Sequence, residues 1–200
     1  QTFMVGEMRR RGMDIDHAPI VCFGVTSNDP HYVPTAERSR QLAPGPVLMD
    51  LFCYVAGSEG GTADITWMAH VGTPSPDFLR AFETITAARD VGAALLRERL
   101  EARAPVRGFE VDEAVRAVLI ASGYEPYLLH RTGHSLGTVR PHGDAAHFDS
   151  IETLDERRVV PRLGFTIEPG VYTPAFGVRS EINVLAWEDG VEITTAIQTE

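Results

Sequence analysis

The chain of 200 residues contains no lysine, so all 18 of its basic side chains are arginines. That absence excludes every chemistry that needs a primary side-chain amine, including a pyridoxal Schiff base, the phosphate-binding lysine of a P-loop and the strand lysine of a protein kinase. Positive charge is also outnumbered. With 28 acidic residues the formal charge is −10, which argues against a nucleic-acid partner, because such proteins neutralise phosphates with clustered cations. Only two cysteines occur, Cys22 and Cys53, each in an apolar run, and they read as reduced core thiols and not as a disulfide framework. No apolar stretch nears the ~20 residues of a membrane span, and no secretory signal opens the sequence. The default expectation is a cytoplasmic protein with no membrane partner.

What is present suits a folded domain. Hydrophobic residues at 44% and charged residues at 23% exclude a disordered chain, and the length fits one domain, residues 1–200, with a sizeable core. The opening places Phe3, Met4 and Met8 near helical spacing before Gly12 and reads as a helix already in progress, so sequence upstream of residue 1 is expected. Strands are expected at Ile20–Phe23, Val47–Tyr54, Ala63–Ala69, Gly164–Tyr172, Gly177–Ala186 and Val191–Ala196. Ser75-Pro76 starts a helix whose Phe78, Phe82 and Ile85 share a face toward Leu100. A second helix carries Val111, Ala114, Val115, Val118 and Leu119 up to Gly123. Strands, then helices, then strands imply an α+β domain with a largely antiparallel sheet.

The informative residues are acids where strands should be apolar. Asp50 interrupts Val47-Leu48-Met49-Asp50-Leu51-Phe52, and Asp64 lies in Thr62-Ala63-Asp64-Ile65-Thr66-Trp67. Gly57 falls midway between them, so a regular hairpin brings them opposite each other or nearly so. Glu168 and Glu181 repeat the arrangement about Pro174 and Ala175. Like charges opposed in a sheet are destabilising, and burying them unpaired costs several kcal/mol each or forces protonation. Arg179 shares a face with Glu181, but one guanidinium cannot balance four carboxylates. Bound divalent metal accounts for them better. His134, bracketed by glycines in Thr132-Gly133-His134-Ser135-Leu136-Gly137, supplies a nitrogen donor beside the four oxygen donors.

These segments, together with Thr166-Ile167-Glu168-Pro169-Gly170-Val171-Tyr172 and Gly177-Val178-Arg179-Ser180-Glu181, resemble in order the metal-ligand motifs of the M24 metallopeptidases. That "pita-bread" family includes methionine aminopeptidase, Xaa-Pro aminopeptidase and Xaa-Pro dipeptidase, and the Ile-Glu-Pro-Gly and Arg-Ser-Glu segments look closer to the Xaa-Pro branch. The resemblance implies a curved antiparallel sheet with helices on its outer face (the creatinase/aminopeptidase-like fold), forming one catalytic domain whose start is missing. It implies Asp50, Asp64, His134, Glu168 and Glu181 as ligands of two divalent ions, with Asp64 and Glu181 bridging. Manganese is the first expectation, and cobalt, iron or zinc are alternatives.

The implied activity is hydrolysis of peptides, of Xaa-Pro type, by a hydroxide held between the two metals. Glu168 would shuttle the proton, His31 and His142 would contact the substrate or its oxyanion, and Arg179 would either pair with the glutamates or clamp a substrate carboxylate. Two features depart from the family pattern. The connection between the aspartates is longer than usual, and His142 lies slightly further from His134 than usual, followed by Gly143 in place of a glutamate. His130 or His147 could therefore take the place of His142. A homodimer is left open. The alternatives are a catalytically silent peptide- or protein-binding module and a metal-dependent lyase or non-peptide hydrolase on the same scaffold, since fold does not fix function.

Overall fold

In the computed structural model, which describes all 200 residues, helix α1 (Thr2–Arg10) leads to two short strands, β1 (Met13–Asp14) and β2 (Ile20–Phe23). Both pair antiparallel with the long strand β3 (Gly45–Val55), which forms a hairpin with β4 (Ala63–Val71). Burial along the hairpin has a period of two. Leu48, Asp50 and Phe52 of β3, with Asp64, Thr66 and Met68 of β4, all face inward. Side-chain alternation therefore aims both aspartates at the interior together with the core residues around them.

The register places the aspartates two residues from direct opposition. Asp50 pairs with Thr66, and Asp64 with Phe52, so the acids are diagonal neighbours. The cause lies in the connection. A tight turn closes at once after β3, with Ser58 N–H bonded to Val55 O at 3.1 Å and Gly57 at φ 73°. The remaining slack, residues 59–62, falls on the β4 side, where Thr62 ties back to Gly137 O. Diagonal placement separates the two like charges more than direct opposition would.

Helix α2 (Pro76–Glu101) is the spine of the domain. Ser75 caps it by accepting from Phe78 N–H, and Pro76 occupies its first turn. Its first half packs Phe78, Phe82 and Ile85 against Leu48, Met68 and Val178, and its second half packs Leu96 and Leu100 against Phe148, Phe165 and Ile182. Helix α3 (Gly108–Ala121) crosses it at Gly92, where a Cβ would come within 2.8 Å of Val115 Cγ2. Gly123, at φ 84°, terminates α3 as the sequence implies.

The chain returns to the sheet through β5 (Gly164–Ile167), β6 (Gly170–Tyr172), β7 (Gly177–Arg179), β8 (Ile182–Trp187) and β9 (Gly190–Ile193). The expected strands Gly164–Tyr172 and Gly177–Ala186 are thus each broken, at Glu168-Pro169 and at Ser180-Glu181. Pro169 has no N–H to give to a ladder, which accounts for the interruption. The last strand is also shorter than expected and ends at Ile193. The β5–β8 and β6–β7 ladders nevertheless keep one register, Ile167 opposite Ile182 and Gly170 opposite Arg179. Glu168 and Glu181 consequently stand opposite each other in the gap. No helix is long and apolar enough to cross a membrane.

Candidate metal centre

Three of the expected ligands, Asp50, Asp64 and Glu181, place carboxylate oxygens within 4.8 Å of one another. All three are buried. The histidine reaches them from an irregular segment that docks on the free edge of β5. Thr166 N–H donates to His134 O at 2.8 Å, Leu136 N–H to Gly164 O at 2.8 Å, and Glu168 N–H to Thr132 O at 2.7 Å. Such close docking needs Gly133, since a Cβ there would lie 2.2 Å from Thr166 O. The glycine thus serves close approach to a neighbouring strand.

The proton inventory then becomes specific. His134 Nδ1 lies 2.9 Å from Ser135 O, a carbonyl that can only accept, so Nδ1 carries the ring proton. Nε2 is left without a proton, facing Asp64 Oδ2 and Glu168 Oε1, each at 3.4 Å. Burial holds the His134 imidazole below its ordinary pKa, which favours this neutral form. Burial and, after it, the neighbouring acids raise Asp64 and Glu181, and burial pushes Glu168 up to about 7. Asp50 Oδ1 and Glu181 Oε1 are buried with no hydrogen-bond partner. Four carboxylates and a deprotonated imidazole nitrogen converging with unspent lone pairs fit a divalent cation as the group that completes them.

The cations already present do not fill that role. Arg179 donates to Asp50 Oδ2 and, through Nε, to Thr66 Oγ1 at 2.8 Å, and Thr66 in turn donates to Glu181 Oε2 at 2.8 Å. It answers one acid directly and orients a second through Thr66. In this arrangement Arg179 is a partner of the acids, although it also lines the cleft above them.

That cleft, about 530 Å³, has Asp50, Asp64, His134 and Glu168 on its walls, with Glu181 behind them. The structure brings both expected substrate-side histidines to it. His31 is exposed at the mouth, and the His142 ring centroid lies 4.0 Å from that of His134. His130 also lines the cleft, but its Nε2 accepts from Tyr172 O–H at 2.8 Å and its Nδ1 donates to Arg131 O. His147 is engaged as well, with Nδ1 accepting from Ser135 N–H. His17 packs on Phe52, with ring centroids 4.1 Å apart, and also lines the cleft.

Several residues that hold the site went unread in the sequence. Asp112, fully buried on α3, accepts from Thr132 N–H, Ser150 N–H and Arg116 Nε, while Arg116 also donates to His130 O at 2.6 Å. This pair fixes the segment that carries His134. Arg89 of α2, 1% exposed, donates to Ser180 Oγ at 2.7 Å and to Gln198 O at 2.9 Å. A signal for it exists, because Arg89 falls on the apolar stripe of Ile85, Gly92 and Leu96. Finally, the outer edge of β4 is closed by two carboxamides. Asn183 bonds both Asp64 N–H and Asp64 O, and Gln198 bonds both Met68 N–H and Met68 O.

The fold, with a buried cluster of acids and a histidine at its centre, is of the pita-bread architecture. Residues 1–194 match metallopeptidase family M24, and the chain belongs to that family. It is 29% identical over 175 residues to the probable dipeptidase PepE of Mycobacterium tuberculosis, covering 86% of this chain and 42% of that one. It is 28% identical over 178 residues to the Xaa-Pro dipeptidase of Lactobacillus helveticus, covering 88% and 44%. The crystal structure of dipeptidase PepE from Mycobacterium ulcerans superposes with a TM-score of 0.83 at 26% identity, over all of this chain and 50% of that one. The chain thus spans less than half the length of the two curated relatives.

Proposed function

We propose that the chain hydrolyses short peptides, of Xaa-Pro type, with Asp50, Asp64, His134, Glu168 and Glu181 holding two divalent ions, manganese first among them. The observation that carries this reading is the convergence of buried acids on an unprotonated nitrogen: Asp50, Asp64 and Glu181 place oxygens within 4.8 Å of one another, and His134 Nε2 lies 3.4 Å from Asp64 Oδ2 and from Glu168 Oε1. The ions would supply a lowered pKa for water and polarisation of the peptide carbonyl. The chain's own part is to place the groups around them. Glu168, whose carboxyl is pushed up to about 7, is suited to take a proton from the attacking water and pass it to the leaving amine. His142, close to His134 and lowered to about 3 by burial and then by that neighbour, stands neutral where it can donate to a developing oxyanion. His31 at the mouth would contact the substrate backbone, and Arg179 would hold Asp50 in place.

The names of the relatives support the dipeptidase and Xaa-Pro choice, and the free thiols Cys22 and Cys53 accord with a cytoplasmic enzyme. The test is turnover by chelator-stripped protein reloaded with Mn²⁺. Xaa-Pro dipeptides, non-proline dipeptides and longer Xaa-Pro peptides should be compared, with metal content measured by plasma mass spectrometry. Metal uptake with Xaa-Pro dipeptide cleavage that chelator abolishes is expected. Metal uptake without turnover would favour a silent binding module or a different hydrolase, and no metal uptake would overturn the reading.

A further inference from the structure

We infer that Asn183 is a positioning residue that sets the spacing of the Asp64 and Glu181 carboxylates and thereby the metal affinity of the site, an inference that rests on the metal-binding reading above. Asn183 lies two residues beyond Glu181 and is 2% exposed. Its Oδ1 accepts from Asp64 N–H at 2.9 Å, and its Nδ2 donates to Asp64 O. One peptide unit on each side of the Asp64 Cα is therefore held by the same side chain. Two residues along, Thr66 donates to Glu181 Oε2 at 2.8 Å. The contacts step in opposite directions along the two segments, Asp64 to Asn183 and Thr66 to Glu181. β4 and residues 181–183 thus lie antiparallel, joined by side chains where a ladder would normally run.

The geometry demands a carboxamide. One donor and one acceptor must point the same way from a short side chain, which Asn supplies and Asp, Ser or Leu do not. Asn183 is itself anchored from the other side. Its N–H donates to Thr195 Oγ1 at 3.0 Å, and its carbonyl accepts from Thr194 N–H at 2.9 Å. The carboxamide is therefore a rigid spacer between two acids that repel each other whenever both are charged. Residues that orient ligands in this way typically contribute 10–100-fold to metal affinity.

The test is Mn²⁺ affinity by isothermal titration calorimetry on chelator-stripped protein, with thermal unfolding of the same metal-free samples. Asn183→Leu removes both hydrogen bonds at similar size and without adding charge. Asn183→Ser is smaller and polar, and serves if the leucine variant does not fold. Thr195→Val removes one hydrogen bond from the Asn183 backbone and leaves the carboxamide in place. The expected result is a roughly 10–100-fold loss of Mn²⁺ affinity in the folded Asn183 variants and none in Thr195→Val. Affinity within about twofold of the unsubstituted protein in the Asn183 variants, or an equal loss in Thr195→Val, would overturn the inference. Failure of the unsubstituted protein to take up Mn²⁺ would instead overturn the metal reading itself.

Discussion

Along β3 and β4 the ladder runs unbroken from the pairing of Gly45 with Val71 to that of Cys53 with Ala63, and strand alternation alone turns Asp50 and Asp64 inward. Along the second hairpin the ladder stops on both sides of Glu168 and Glu181, in one register throughout, and the two glutamates occupy the gap. The first pair of acids is delivered by backbone periodicity. The second pair depends on side chains as well, Thr66 from β4 bonding Glu181 and Thr166 from β5 itself bonding Glu168, with Arg89 of α2 fixing the neighbouring Ser180. A third element, residues 132–136, docks on the free edge of β5, where Glu168 N–H continues the row begun by Gly164 O and Thr166 N–H, and this docking brings the candidate nitrogen ligand to the four acids.

This contrast can be tested in order of expected effect. Asp64→Asn removes an acid from the intact hairpin and should abolish Mn²⁺ uptake and all turnover. The same change should raise the unfolding temperature of the metal-free protein by ~4 °C near neutral pH, because the amide enters the buried acidic cluster without the protonation that burial imposes on Asp64. Calorimetric titration and a thermal scan check the two halves, and turnover that persists would identify a contaminant. Arg116→Met attacks the anchor of the third element. It leaves Asp112 buried without its cation, and urea titration should show a loss of about 3–5 kcal/mol.

Arg89→Met tests the second hairpin's dependence on outside support. Cutting the bond to Ser180 should cost about 2 kcal/mol in urea unfolding and measurably weaken Mn²⁺ binding. Equal affinity before and after would show that the broken hairpin holds Glu181 unaided. The smallest effect belongs to the intact hairpin. Deleting Glu59 and Gly60, both exposed and beyond the tight turn, should shift stability by less than about 0.5 kcal/mol and leave Mn²⁺ affinity unchanged.

The sequence made visible what depends on period and chemistry, and hid what depends on tertiary placement. Asp50, Asp64, Glu168 and Glu181 stood out because a charge in an apolar strand needs an answer wherever the strand sits. The Ser75 cap and the Gly123 stop were legible because they act within a few residues. The two-residue register offset was not, since it depends on how the connection after Val55 divides its slack. Asp112 and Arg116 have the i, i+4 spacing of many exposed helical ion pairs, and only the packing of residues 130–132 against α3 reveals them as buried. Asn183 and Gln198 carried no local signal for their partners, which lie 119 and 130 residues away.

Those two carboxamides have a consequence apart from metal. β4 has β3 on one side only, and its other side would otherwise present a row of open peptide groups on which a strand from another molecule could grow. Asn183 satisfies the peptide groups of Asp64, and Gln198 those of Met68. Side chains from residue 183 and the C-terminal segment thereby take up these groups and leave less of the β4 edge open to strand addition.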